Sequence, residues 1–125
     1  MADTQQRLQA LSEEYQKLQT ELQNNVQSRQ KLESQQQENK GVQKEFASLD
    51  DDANIYKLVG PVLLKQDKTE AVMAVDGRLE FIENEIKRVE KQIKDVQEKS
   101  DGLRAQIIQA QTEAQEQGPQ AQAVA

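Results

Sequence analysis

Two heptad arrays flank a short apolar centre, Ile55-Tyr56-Lys57-Leu58-Val59-Gly60-Pro61-Val62-Leu63-Leu64, and little else can satisfy both. Before the centre, Leu8, Leu11, Tyr15, Leu18, Leu22, Asn25, Arg29, Leu32, Gln36 and Asn39 follow one another at alternating steps of four and three, a seam with polar interruptions. After it, Val72, Val75, Leu79, Ile82, Ile86, Val89, Ile93, Val96, Ser100, Leu103, Ile107 and Ala110 keep the same alternation, with Ser100 the one polar member. An apolar stripe recurring every ~3.5 residues stays on one helix face only if helices wind round each other, so both halves demand coiled-coil partners.

Composition excludes a thick core. Hydrophobic residues make up 35% of the 125 positions, below the roughly 45–50% of ordinary globular domains even when glycine is added. A charged fraction of 30% suits helices that bury one narrow stripe and leave the rest wet. The net charge of −6, with no basic block, argues against nucleic acid and anionic lipid, which need clustered Lys and Arg to displace counterions. It also excludes a DNA-reading zipper, whose heptads require an adjoining basic region. Cysteine is absent, so neither a disulfide framework nor a thiolate metal site is available. No apolar run approaches the roughly 18 residues of a membrane span, and Met1 to Leu11 lacks the hydrophobic stretch of a secretory signal. The expectation is a soluble cytoplasmic protein.

Asp3 or Thr4 can cap a first helix, placed at residues 4–49 and ended by Asp50-Asp51-Asp52, because negative charge is unfavourable at a helix C-terminus. A second helix is placed at 69–117, entered through the capping-box spacing of Asp67 and Glu70 and stopped by Gly118-Pro119; a disordered tail is expected at 118–125. Between them, residues 54–66 read as a hairpin. Gly60-Pro61 fits a type II′ turn, whose first central residue has positive φ and whose second can be proline. Two isolated strands are marginal in water, and this pair carries six large aliphatics on what looks like both faces. Its unpaired edges invite strands from other chains. The fold class is therefore mainly α: a long antiparallel two-helix coiled coil with one β-hairpin between the helices that joins an oligomeric β-barrel. A register with Leu49 level with Leu79, Phe46 with Ile82 and Val42 with Ile86 brings apolar residues together, and continued outward it sets Arg29 beside Ser100 in a polar layer. Gln36, Asn39 and Val42 form two successive steps of three, a stammer that overwinds the coil.

The centre from Asn54 to Asp67, followed by Arg78-Leu79-Glu80-Phe81-Ile82, resembles the β-class subunits of prefoldin, and Ser28-Arg29-Gln30-Lys31-Leu32-Glu33 makes it most similar to one eukaryotic branch of them. The resemblance covers residues 8–108. It implies a heterohexamer in which this chain joins two α-class and three further β-class chains. Hairpins would form a double barrel, with the coiled coils projecting from it. It further implies ATP-independent capture of unfolded proteins, notably actin and tubulin, between the coil tips, and delivery to the cytosolic group II chaperonin.

Within that frame Ile55, Tyr56, Leu58, Val59, Val62, Leu63 and Leu64 are the candidate assembly residues, with Tyr56, Leu58, Val62 and Leu64 assigned to one strand face as barrel interior. Candidate client contacts at the tip are Leu8, Leu11, Ile107 and Ile108; the first three also read as ordinary seam residues, whereas Ile108 lies beside the seam. Catalysis finds no support. Histidine is absent, and no nucleophile pattern, phosphate loop or metal-ligand spacing occurs, so no cofactor is expected. The competing function is a structural coiled-coil scaffold binding a folded partner, which would have no use for a doubly apolar hairpin.

Overall fold

A computed structural model describes the backbone of residues 2–124 and the side chains of residues 2–116. Four elements follow in chain order: α1 (Ala2–Ser48), β1 (Ile55–Val59), β2 (Val62–Gln66) and α2 (Lys68–Val124). They divide into two compact units, one made of Met1–Gln27 with Glu90–Ala125 and the other of Ser28–Val89.

Every polar and apolar member of the predicted α1 seam from Leu8 to Asn39 is half-buried, and their neighbours on the helix are exposed. The α2 stripe is deeper. Val75, Ile82, Val89, Val96, Leu103 and Ala110 are buried, with Ile86, Ile93 and Ile107 half-buried between them. Each large aliphatic removed from water in this way contributes about 1.5–3 kcal/mol. That burial carries the long helices, since neither could hold its length on propensity alone.

The register differs from the one the sequence suggests. In the 28–89 unit the Gln43 side-chain amide donates to Asp76 Oδ1 at 2.8 Å, and Phe46 lines a groove with Val72 and Val75, not Ile82. In the other unit the Gln19 amide donates to Ser100 Oγ at 3.1 Å, so the partner of buried Ser100 is Gln19 where Arg29 was expected. Arg29 instead forms an ion pair with Glu33 at 3.4 Å. Arg7 and Glu113 pair at 3.6 Å. Partnered positions thus have numbers summing to 119 or 120 in each unit, against 128 in the predicted register. The cause lies at the turn: Lys68 Nζ donates to the Leu49 carbonyl at 2.8 Å and contacts Asp51 at 3.2 Å. Helix α2 therefore packs from its first turn, and Val72 and Val75 take the partners that the predicted register gave to residues eight or nine positions later. Val42, which the predicted stammer put in the seam, is 38% exposed, so the two successive steps of three do not carry the stripe onward.

Helix α2 begins where Asp67 offers its carbonyl to the Ala71 amide at 2.9 Å, one position before the expected start. Its backbone continues to Val124, past the predicted stop at Gly118-Pro119 and through most of the stretch expected to be disordered. Proline fixes φ in the helical range but has no N–H for the carbonyl four residues before it, and the Gln and Ala residues that follow are tolerant of helix.

Candidate functional site

The chain's apolar surface concentrates at the hairpin. β1 and β2 pair antiparallel as Ile55 with Gln66, Tyr56 with Lys65, Lys57 with Leu64, Leu58 with Leu63 and Val59 with Val62. Gly60 has φ of 58°, the value a type II′ turn needs at its first central position and one that an L side chain resists. The two-residue turn anticipated at Gly60-Pro61 therefore forms.

Directly paired residues point to the same face of a two-stranded sheet. One face then carries Tyr56, Leu58, Leu63 and Lys65, and the other carries Lys57, Val59, Val62 and Leu64. This corrects the predicted grouping of Tyr56, Leu58, Val62 and Leu64. A two-residue loop makes partners' numbers sum to 121, an odd value, so even positions of β1 share a face with odd positions of β2. Of the seven predicted assembly residues, only Ile55 is buried in the chain itself; Leu58 and Leu63 stand 69% and 62% exposed. Tyr56, Val59, Val62 and Leu64 are wet as well. Among the described residues the sheet consists of these two strands alone, so the outer edge of each carries unpaired backbone groups.

At the other candidate site, Leu8, Leu11 and Ile107 are half-buried as seam members, whereas Ile108 is 54% exposed beside them. Ala110, one or two residues from the α2 position level with Leu8, is fully buried. No motif marks these residues. Two further exposed apolar side chains, Met73 and Phe81 on α2, were not anticipated as functional; their signal was the absence of either position from the 3.5-residue stripe.

Electrostatics contribute little. Arg88 grips Glu85 with Nη2 to Oε2 at 2.8 Å, and this hydrogen bond and charge hold the Glu85 carboxyl below the usual carboxylate range while raising the Arg88 guanidinium. The pair is open to solvent, and surface pairs of this kind contribute little to stability. Among the described residues no helix is long and apolar enough to cross a membrane.

A coiled-coil hairpin that seals its helical seam and leaves its strand pair wet on both faces is a subunit, a chain whose surface is completed by others. A family model described as prefoldin subunit matches residues 9–114. Prefoldin subunit 6 of Saccharomyces cerevisiae is 49% identical over 109 residues, covering 87% of this chain and 96% of the relative. Prefoldin subunit 6 of Homo sapiens is 44% identical over 111 residues, covering 89% and 86%. The crystal structure of the prefoldin beta subunit from Thermococcus strain KS-1 superposes with a TM-score of 0.77 at 36% identity, over 83% of this chain and 91% of that one. The chain belongs to the prefoldin family and serves protein folding as a co-chaperone subunit.

Proposed function

We propose that this chain takes the place of subunit 6 in a heterohexamer of two α-class and four β-class prefoldin chains, which captures unfolded proteins without ATP and passes them to the group II chaperonin. The observation that carries the reading is the hairpin: six large apolar side chains exposed on two strands with both edges unpaired. At ~1.5–3 kcal/mol per side chain, such a surface stays wet in a lone chain and is relieved only by strands from neighbours. Ile55, Tyr56, Leu58, Val59, Val62, Leu63 and Leu64 are the assembly residues of this proposal, now divided between two faces as the pairing requires.

Client contact falls to Leu8, Leu11, Ile107 and Ile108 near the helix ends remote in sequence from the hairpin. Ile108 is supported by its exposure. Hydrophobic capture there would be broad in specificity, because apolar contact is non-directional and depends on area removed from water. Actin and tubulin are the clients expected from the resemblance. The cytoplasm is the compartment in which such clients and the chaperonin meet.

The test is an aggregation assay on denatured actin with the assembled complex. A variant lacking the residues before Leu11 and after Ala105 is expected to assemble and to lose suppression. Unchanged suppression by that variant overturns the tip assignment; failure of the intact chain to join companion subunits overturns the assembly reading.

A further inference from the structure

The hairpin is not the sole wet apolar surface of the 28–89 unit. Met73 and Phe81 stand 68% and 64% exposed, and their spacing of eight puts them on one face of α2, two turns apart. Gly77 lies midway. Glycine weakens a helix interior because it has the most backbone freedom to lose. Nothing within this chain calls for it: its φ is not positive, and a Cβ built there would meet no atom within 4 Å. Gly41 and Gly102 have equally open surroundings. They are flanked one turn away by Gln37, Glu45, Glu98 and Gln106, however, and so open onto polar surface. At Gly77 alone of the three, the missing side chain leaves a notch with apolar walls.

That notch adjoins the hairpin. One groove runs between Gln35 and Asn39 of α1 and Ala74, Gly77, Arg78 and Phe81 of α2, and a second runs from Ile55, Tyr56 and Lys57 to Ala74 and Arg78. The two share Ala74 and Arg78, which makes a single concave face from the base of β1 to Phe81.

We infer that the Met73–Gly77–Phe81 notch is a second contact of the assembly interface, occupied by the hairpin of a neighbouring prefoldin subunit. Three features select that occupant. A slot opened by glycine admits close approach of a backbone, which a strand offers along its whole length. The face is continuous with the β1 base, so a strand joining the hairpin edge extends over it without a gap. A neighbour of the same family brings apolar strand side chains to meet Met73 and Phe81. The inference rests on the reading of the hairpin as the assembly element.

The test uses Gly77→Leu and Phe81→Ser, with Leu58→Ser as the hairpin reference, each co-expressed with the companion prefoldin subunits of the same genome. Complexes are read by native mass spectrometry and sedimentation, and the lone chains by thermal circular dichroism. Leucine is a better helix former than glycine and its Cβ would meet no atom within 4 Å, so lone Gly77→Leu is expected to melt no lower than the parent. In the same variant, and in Phe81→Ser, association with companions is expected to weaken about ten-fold or more, as for the loss of an interface anchor. Opposite signs for chain stability and assembly cannot come from a purely internal role. Parent-like assembly of both notch variants, with Leu58→Ser defective, overturns the inference and leaves the hairpin reading standing. Normal assembly of Phe81→Ser with lost suppression of client aggregation assigns the notch to clients and also overturns it. Parent-like assembly of Leu58→Ser removes the hairpin reading and this inference with it.

Discussion

Replacing Gly60 by alanine isolates what the turn contributes to assembly. Gly60 sits at φ 58°, a conformation that costs an L-residue about 1–2 kcal/mol. Against this the hairpin sets five cross-strand pairs, each contributing roughly 0.2–1 kcal/mol, and a lone two-stranded hairpin is marginal. Alanine therefore tips the strands open in the free chain. A neighbour must then close them on binding, and 1–2 kcal/mol corresponds to a factor of about 5–30 in association. The helices should be indifferent, because the contacts that reverse the chain are Lys68 to Leu49 and Gln43 to Asp76, neither of which passes through the turn. Sedimentation equilibrium with companion subunits gives the affinity, and circular dichroism at 222 nm gives the helix melt. Pro61→Ala is the control, since the second turn position needs no positive φ and loses only about 0.4–1 kcal/mol of unfolded-state restriction. Unchanged affinity for Gly60→Ala, or a loss no larger than that of Pro61→Ala, refutes the reasoning.

Other outcomes follow from the helices. Ile82→Ala, at a position 6% exposed, should cost about 2–5 kcal/mol in urea unfolding of the chain, whereas Phe81→Ala next to it should cost far less. Spin labels at Gln19 and Asp101 should couple much more strongly than labels at Gln19 and Gln109; the second pair lies ~12 Å further along α2, and the reverse order would restore the predicted register. Lys68→Met should lower the melting temperature by removing the cation that satisfies the Leu49 carbonyl, with a loss on the order of 1–2 kcal/mol. For Glu85, held below its ordinary pKa by Arg88, the folded form binds its proton less readily than the unfolded form. Whatever the pair contributes is thus complete above the ordinary carboxylate pKa and fades as the pH falls through the depressed one. An NMR titration should place Glu85 below the ordinary carboxylate range, and Arg88→Gln should return it there.

Secondary structure was legible in the chain because it depends on local periodicity. The alternation of three and four from Leu8 to Asn39 and from Val72 to Ala110 marks which side of each helix is covered, and Gly60-Pro61 between aliphatics marks a two-residue turn. Register was not legible. A coiled-coil stripe repeats every three to four residues, so sliding one helix along the other lays apolar on apolar almost as well. What chose between the alternatives was the reach of Lys68 back to Leu49 and the bonds from Gln43 to Asp76 and from Gln19 to Ser100, contacts between residues far apart in sequence. The strand faces were lost for a related reason: alternation within one strand is local, but which face of β1 matches which face of β2 depends on the parity of the pairing. The notch at Gly77 belongs to the tertiary structure too, because a helical glycine reads as a mere weakness until Met73 and Phe81 are seen standing wet on either side of it.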